Sequence, residues 1–275
     1  MTSNRPFLKW AGNKFRIIDE IIKYLPDNSN YDCFVEPFAG TCSVFLNTNY
    51  KKNFLADENP DLINLYLYLQ KEGDKFIKYC AKFFDDNSNL ESTYYENRDI
   101  FNNTKSIRKK SALFVYLNRH SYNGLCRYNS KGKFNAPFGR YIKIYFPHET
   151  MLKFFEKSQR AEFKCQDFKT TLKDLSDKRS VIYCDPPYLP LSDTAHFTKY
   201  SQGNFGLEEH TKLAEMIDVL KNNKDNKIIL SNHYIEKYHG LYKNAIIKKL
   251  SVPRYISCNT ETRKNVDEIL VLYNI

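Results

Sequence analysis

The sequence predicts an α/β fold carrying an insert, and three observations lead to it. Cys33-Phe34-Val35-Glu36, a turn through Pro37-Phe38-Ala39-Gly40-Thr41, a helical stretch with Val44, Phe45 and Leu46, and Asn53-Phe54-Leu55-Ala56-Asp57 read as strand, glycine turn, helix and strand ending in an acid. That order is half of a nucleotide-binding α/β unit. The apolar run Ser180-Val181-Ile182-Tyr183-Cys184 then meets Asp185-Pro186-Pro187-Tyr188. Two prolines forbid simple continuation of a strand, so the acid and the ring stand at its end, where an open α/β sheet keeps its chemistry. Between residues 58 and 145 the alternation stops, which makes that segment an insert in a domain formed by residues 1–57 and 146–275.

The remaining elements follow from periodicity and punctuation. Ile17, Ile18, Ile21, Ile22 and Leu25 predict a helix ending near Pro26, and Leu62, Leu65, Tyr66 and Leu69 predict another from Pro60 to about Lys82. A third runs from Ile107 to Asn118. Asn129-Ser130-Lys131-Gly132-Lys133 is the turn of a hairpin between Leu125–Tyr128 and Phe134-Asn135. Beyond the insert, a helix around Met151 to Glu156 precedes the strand Ala161–Cys165. Leu189 to Gly206 is a polar stretch without clear periodicity, of a length that suits a substrate-responsive loop. A helix from Leu207 to Leu220, a strand Lys227–Ser231 and a final pair, Ile246–Leu250 and Val266–Leu272, complete the chain.

With 275 residues, 42% hydrophobic and 15% aromatic, the chain can bury a full core. Its formal charge of +10 points to a polyanion, with a solubilising excess of lysine as the alternative. The charge is concentrated. From Ile100 through His148 there is no Asp or Glu, while cations from Lys105 to Lys143 alternate with Tyr116, Tyr122, Tyr128, Phe134, Phe138, Tyr141 and Tyr145. That mixture suits neutralisation of a phosphate backbone together with contact to bases. The seven cysteines are odd in number, widely spaced and without Cys-x-x-Cys, which argues against a disulfide framework or a zinc cluster, and the six histidines are scattered, so no metal is expected. No stretch approaches the roughly 20 apolar residues of a bilayer span, and a cytoplasmic protein is expected.

The Asp185 turn has a specific chemical value. An exocyclic amine on a nucleobase is a poor nucleophile because its lone pair is shared with the ring. The Asp185 carboxylate and a carbonyl of the rigid Pro186-Pro187 backbone can both accept its N–H bonds, drawing the nitrogen toward a tetrahedral shape, and Tyr188 offers a face on which an extruded base can stack. Gly40 permits a sharp turn beside a ligand. With a single glycine there, a dinucleotide cradle is unsupported and a smaller nucleoside-bearing ligand fits better. Asp57 is placed to bond ribose hydroxyls or, alternatively, to cap the helix after Pro60. Asp167-Phe168 repeats the logic after the third strand, with an acid for an adenine amine and a ring for its face. In the segment Trp10 to Lys14, Gly12 and Lys14 can wrap a ligand's carboxylate end, although Trp10 could equally be core.

Taken together, Lys9-Trp10-Ala11-Gly12-Asn13-Lys14, Phe34–Gly40, Leu117-Asn118-Arg119, Tyr122–Asn129, Pro137-Phe138-Gly139-Arg140-Tyr141 and Asp185-Pro186-Pro187-Tyr188 resemble the Dam-type DNA adenine-N6 methyltransferases of the D12 class. The likeness continues through Leu191-Ser192, Phe197-Thr198, Ser231-Asn232-His233 and Thr262-Arg263-Lys264 with Asp267-Glu268, in order along nearly the whole chain. The resemblance implies a Rossmann-like sheet that uses S-adenosylmethionine and yields S-adenosylhomocysteine, and an inserted helical and β-hairpin DNA-recognition domain. It implies methyl transfer to adenine N6 in double-stranded DNA, with GATC as the site, by a monomer of a prokaryotic or viral cytoplasm, associated with the nucleoid, of which more than one copy could occupy DNA. Trp10, Ala11, Gly12, Lys14, Glu36, Pro37, Phe38, Gly40, Asp57, Asp167, Phe168 and Asp185 would then frame the cofactor, and Asp185 to Tyr188 the reacting amine. Lys9, Arg119, Tyr122, Asn123, Leu125, Arg127, Asn129, Pro137, Arg140 and Tyr141 match the recognition region. Within it, Lys9 corresponds to a reader of the guanine beside the target, Arg127 to the principal base-reading arginine, and Tyr122 to a residue that enters the base stack. Asn13 departs from the pattern, where many relatives carry a second glycine, and so do His120 and Ser121. Cytosine-N4 methylation is the rival chemistry, and a DNA-binding module without activity is the rival class.

Overall fold

A computed structural model describes residues 3–27, 30–173, 175, 178–188, 205–233, 240–252 and 266–275. Its centre is a seven-stranded sheet of β1 (Cys33–Glu36), β2 (Asn53–Asp57), β3 (Ala161–Cys165), β4 (Ser180–Cys184), β5 (Lys227–His233), β6 (Ile246–Val252) and β7 (Val266–Tyr273), in the order β3-β2-β1-β4-β5-β7-β6. The first five strands across the sheet are parallel, and β7 is antiparallel to both β5 and β6. Strand order reverses between β1 and β4, the position at which open α/β sheets bind ligands outside the carboxyl ends of their strands. Glu36, Asp57 and Asp185 all reach that edge. Because β7 runs the other way, it is the beginning of this strand that arrives there, and Glu268 lies opposite His233 of β5.

Alternation along the strands divides the core in two. Phe34, Leu55, Phe163, Val181 and Tyr183 face one side, with Tyr66 and Phe154 packed on them. Val35, Ile182, Ile228 and Leu230 face the other, covered by Phe168, Leu213 and Ile217. Strands buried on both faces read as continuous apolar runs, which is why Ser180–Cys184 is recognisable in the sequence.

Helices α1 (Ile18–Ile22), α2 (Ser43–Leu46), α3 (Pro60–Glu72), α4 (Asp74–Ala81), α5 (Glu91–Asn103), α6 (Ile107–His120), α7 (His148–Ser158), α8 (Phe168–Lys173) and α9 (Leu207–Leu220) surround the sheet. The expected helix over Ile17–Leu25 is shorter than its apolar pattern, a 3-10 turn from Lys14 to Ile17 followed by α1. The single helix expected from Pro60 to Lys82 is two. Asn59 caps α3 by accepting from the N–H groups of Asp61 and Leu62, and the helix stops at Gly73, whose φ of 52° no ordinary residue adopts cheaply. Helix α5 has no counterpart in the sequence reading because its apolar pattern is thin: only Tyr94 and Phe101 are buried. The hairpin is also slighter than expected. Tyr128 and Phe134 form an isolated bridge, flanked by the backbone bonds Asn135 N to Arg127 O and Asn129 N to Lys133 O, and the Arg127 side chain also bonds Asn135.

Helix α3 packs on β2 and β3 and also on α6, so the sheet and the helical layer share one apolar cluster. Leu189 to residue 204, including Leu191-Ser192 and Phe197-Thr198, and Thr262-Arg263-Lys264 lie outside the described residues.

A methyl group on Gly73 would meet the Phe155 ring of α7 at 2.7 Å while holding a strained backbone. Gly73→Ala should therefore destabilise the fold by about 1–3 kcal/mol, read as a lowered urea midpoint; an unchanged midpoint would contradict this account of the α3–α4 break.

Candidate active site at the carboxyl edge of the sheet

Lys14 organises the edge. It is 6% exposed, and its Nζ donates to the Gly12 carbonyl at 2.7 Å, pairs with Asp185 Oδ1 at 2.8 Å, lies 3.5 Å from Glu268 Oε1 and stands 4.7 Å over the Tyr188 ring. The Tyr188 hydroxyl donates to Glu268 Oε1 at 2.6 Å. Burial pushes Asp185 up to about 6; Lys14 opposes the rise and the Glu268 charge adds to it. At neutral pH Asp185 is thus a carboxylate, an acceptor for N–H groups. Pro187 is held from the opposite side. His210 of α9 places Nε2 at 3.0 Å from its carbonyl, and since a carbonyl only accepts, that nitrogen carries the proton. Burial lowers the His210 pKa and keeps the ring neutral. The Pro187 carbonyl of the turn is thus already engaged by one donor.

The Gly40 turn connects the first two strand ends. Gly40 N donates to Asp57 Oδ2 at 3.0 Å, and Tyr66 donates to the Gly40 carbonyl at 2.6 Å. Asp57 does not cap α3, which is the work of the Asn59 side chain; its second oxygen accepts from Asn59 N at 2.9 Å. Trp10 is half-buried, with its indole 3.7 Å from the position of a Cβ on Gly40, so it walls the turn while packing against the core. Pro37 is buried, while Ala11 and Gly12 are exposed. Asn13 has a φ of −53°, so it needs no glycine, and its side chain accepts from Phe15 N and Ser43 Oγ.

Asp167 and Phe168 follow the end of β3, as their spacing suggests, but only the acid is partly open. Asp167 accepts from Thr170 N at 2.7 Å at the start of α8, and Phe168 is 1% exposed in the core behind Phe38. The two rings stack at 5.3 Å, and Phe38 is the half-open one.

A second cluster adjoins the first through the chain itself. Asn118 of α6 holds both backbone groups of Lys9, accepting from its N–H at 2.8 Å and donating to its carbonyl at 2.7 Å. Lys9 Nζ donates to the Arg119 carbonyl and stands 3.9 Å over the Tyr141 ring, whose hydroxyl donates to Ser121 O. Burial and the Arg119 charge lower Lys9 to about 8. Tyr122, Asn123, Pro137 and Arg140 are exposed around this cluster, and Arg140 pairs with Glu91. Leu125 is half-buried and packs against the core. Arg127 is bound to Asn135, and Asn129 caps its own turn by accepting from Lys131 N and Lys133 N. The divergent His120 and Ser121 are both fully buried; His120 stacks on Tyr116 at 4.0 Å, and burial lowers its pKa to about 4.

A family model described as D12 class N6 adenine-specific DNA methyltransferase matches residues 10–256. The chain belongs to this family. It is 44% identical to the DNA adenine methylase of Haemophilus influenzae over 98% of this chain and 94% of that protein, and 44% identical to the Escherichia coli K12 DNA adenine methylase over 99% and 96%. The Serratia marcescens DNA adenine methylase is 43% identical over 99% of this chain and 100% of its own. As a D12 methyltransferase the protein transfers methyl from S-adenosylmethionine to adenine N6 in DNA.

The edge fits that donor. Glu36 Oε1 accepts from Phe45 N, while its buried Oε2 finds no partner among the described residues. Acidic side chains at three strand ends suit a ligand that carries a sulfonium, an ammonium and ribose hydroxyls. No heavy atom lies within 4 Å of where a Cβ on Gly12 would stand, which leaves room at that turn. Among the described residues, no three His, Cys, Asp or Glu side chains gather as a metal site, and no helix is long and apolar enough to cross a membrane.

Three residues receive no role from the sequence: His210, and Asn118 and Glu268, which stand there only within the motifs that carry the resemblance. The signal for Glu268 was an acid beside the apolar run Ile269–Leu272, but only the antiparallel pairing of β7 brings it to Tyr188.

Burial pushes Glu36 up to about 8, with the Asp185 charge adding to the rise. The folded state therefore holds a proton that the unfolded state has lost, and stability falls as pH rises from about 4.5 toward about 8. Glu36→Gln does not titrate, so its stability relative to the parent should climb between about pH 5 and about pH 8 in urea denaturation; a constant difference would contradict the assignment.

Proposed function

We propose that the protein methylates the adenine of GATC in double-stranded DNA, with the base extruded from the duplex into the Asp185–Tyr188 turn. The observation that carries this reading is the position of that turn, at the end of β4 beside the Gly12 opening and joined by residues 9–14 to the basic cluster on α6. In this division residues 1–57 and 146–275 perform the chemistry and residues 58–145 recognise the target.

Trp10, Gly12 and the Gly40 turn would hold S-adenosylmethionine, with Asp57 toward the ribose and Phe38, backed by Phe168, toward the adenine. The donor supplies a methyl made electrophilic by its sulfonium. Asp185 and the Pro186 carbonyl accept the N6 hydrogens of the target and turn its lone pair outward, and Tyr188 covers the face of the base. N6 needs no prior deprotonation, because it loses its proton readily once it is methylated. Lys14 must yield part of its hold on Asp185 as the amine arrives.

On the DNA side, Lys9 and Arg127 read base edges in the major groove, Tyr122 enters the stack, and Arg119, Asn123, Leu125, Asn129, Pro137, Arg140 and Tyr141 support the backbone contacts. Lys9 Nζ is 3.3 Å from the Arg119 carbonyl, a long contact that it can trade for a guanine acceptor. The reading takes the protein to be a monomer in solution that works on DNA in a prokaryotic or viral cytoplasm.

Purified protein and S-adenosylmethionine, applied to unmethylated plasmid, should yield N6-methyladenine at GATC in methylation-sensitive long-read sequencing. Methylation elsewhere, or N4-methylcytosine, would overturn the assignment. Asp185→Ala should slow methyl transfer by at least about 10²-fold while gel-shift affinity for the duplex stays within about threefold; turnover at the parent rate would sink the mechanism.

A further inference from the structure

We propose that Glu268 is a positioning residue for methyl transfer, fixing the Tyr188 ring from the antiparallel strand β7. The inference rests on the role given above to Tyr188, which it extends to a residue far away in sequence. Glu268 is an acid with a side chain only 12% exposed, followed along β7 by the buried Ile269, Leu270, Val271 and Leu272. A carboxylate so enclosed is costly unless its oxygens are satisfied. The catalytic edge engages one of them, Oε1, which accepts from the Tyr188 hydroxyl at 2.6 Å and lies 3.5 Å from Lys14 Nζ.

The geometry has two consequences. A phenol carries a single proton, and the Tyr188 hydroxyl faces both Asp185 and Glu268. Donation to Glu268 keeps that proton off Asp185, so Lys14 is the donor that the substrate amine must compete with there. The bond also removes a rotation. Tyr188 follows two prolines, and His210 holds the Pro187 carbonyl, so its backbone is constrained on one side and its hydroxyl on the other. A ring tied at both ends presents one face to Lys14 at 4.7 Å and keeps a fixed plane for a stacked base. Preorganisation of this kind acts on the chemical step, because it holds the reacting nitrogen in line rather than adding affinity.

Single-turnover methylation of a GATC duplex, with duplex affinity measured by fluorescence anisotropy, tests this in Glu268→Ala, Glu268→Gln, Tyr188→Phe and the Glu268→Ala/Tyr188→Phe pair. Glu268→Ala and Tyr188→Phe should each slow transfer about tenfold with little change in duplex affinity, and the pair should be no slower than either alone. Glu268→Gln should recover most of the loss, since its carboxamide oxygen accepts the same hydrogen bond. Multiplying effects in the double variant, or Glu268→Gln as slow as Glu268→Ala, would overturn the inference. Tyr188→Phe requires no change at Glu268, so it carries the test even if Glu268→Ala folds poorly, and a parent rate there also refutes the proposal. Tyr188→Ala separates the two readings. If Tyr188→Ala is slow and Glu268→Ala is not, the Glu268 inference alone fails; if Tyr188→Ala transfers at the parent rate, the stacking role of Tyr188 fails.

Discussion

The contact of Lys14 with Asp185 is the interaction on which the rest of the site depends. The sheet brings Glu36, Asp57 and Asp185 to one edge from three parallel strands, and β7 adds Glu268 from the opposite direction. So many carboxylates in a half-closed space repel one another and are costly to keep from water. One buried ammonium, reaching both Asp185 and Glu268, offsets part of that cost. Burial raises the pKa of both Glu36 and Asp57, and for Glu36 the Asp185 charge adds to the rise. The acids that are costly to bury are those that line the edge, so structural tension and function have the same source.

The six residues from Lys9 to Lys14 connect reading to chemistry. At one end Asn118 fastens Lys9 to α6, beside Arg119 and Tyr141. In the middle Trp10 walls the Gly40 turn. At the other end Lys14 holds Asp185. In the proposed reading the residue that meets the neighbouring guanine and the residue that holds the catalytic acid thus stand at the two ends of one short segment.

Much of this was legible in the sequence, and the reason is physical. Parallel strands buried on both faces leave unbroken apolar runs, and residues such as Glu36, Asp57 and Asp185 stand out where those runs end. What was not legible depends on pairings between distant segments. Glu268 meets Tyr188 only through the β5–β7 register, and His210 meets Pro187 only because α9 packs beneath the turn. Local chemistry left two places open. Of the two readings of Asp57, the helix cap falls away because Asn59 is nearer to the helix start and caps it. Phe168 looks like an open ring after an acid, but packing against Phe38 and Phe205 encloses it. Helix α5 escaped notice because two buried rings seven residues apart leave little periodic trace.

The central claim is that the end of β4 receives an adenine drawn out of the duplex and holds its amine with Asp185 and the Pro186 carbonyl. A structure of the protein with S-adenosylhomocysteine and a GATC duplex measures this directly. The account predicts the adenine outside the stack, with N6 within hydrogen-bond distance of both acceptors and its ring against Tyr188. An adenine left in the stack, or an extruded base whose amine meets other acceptors, would contradict it.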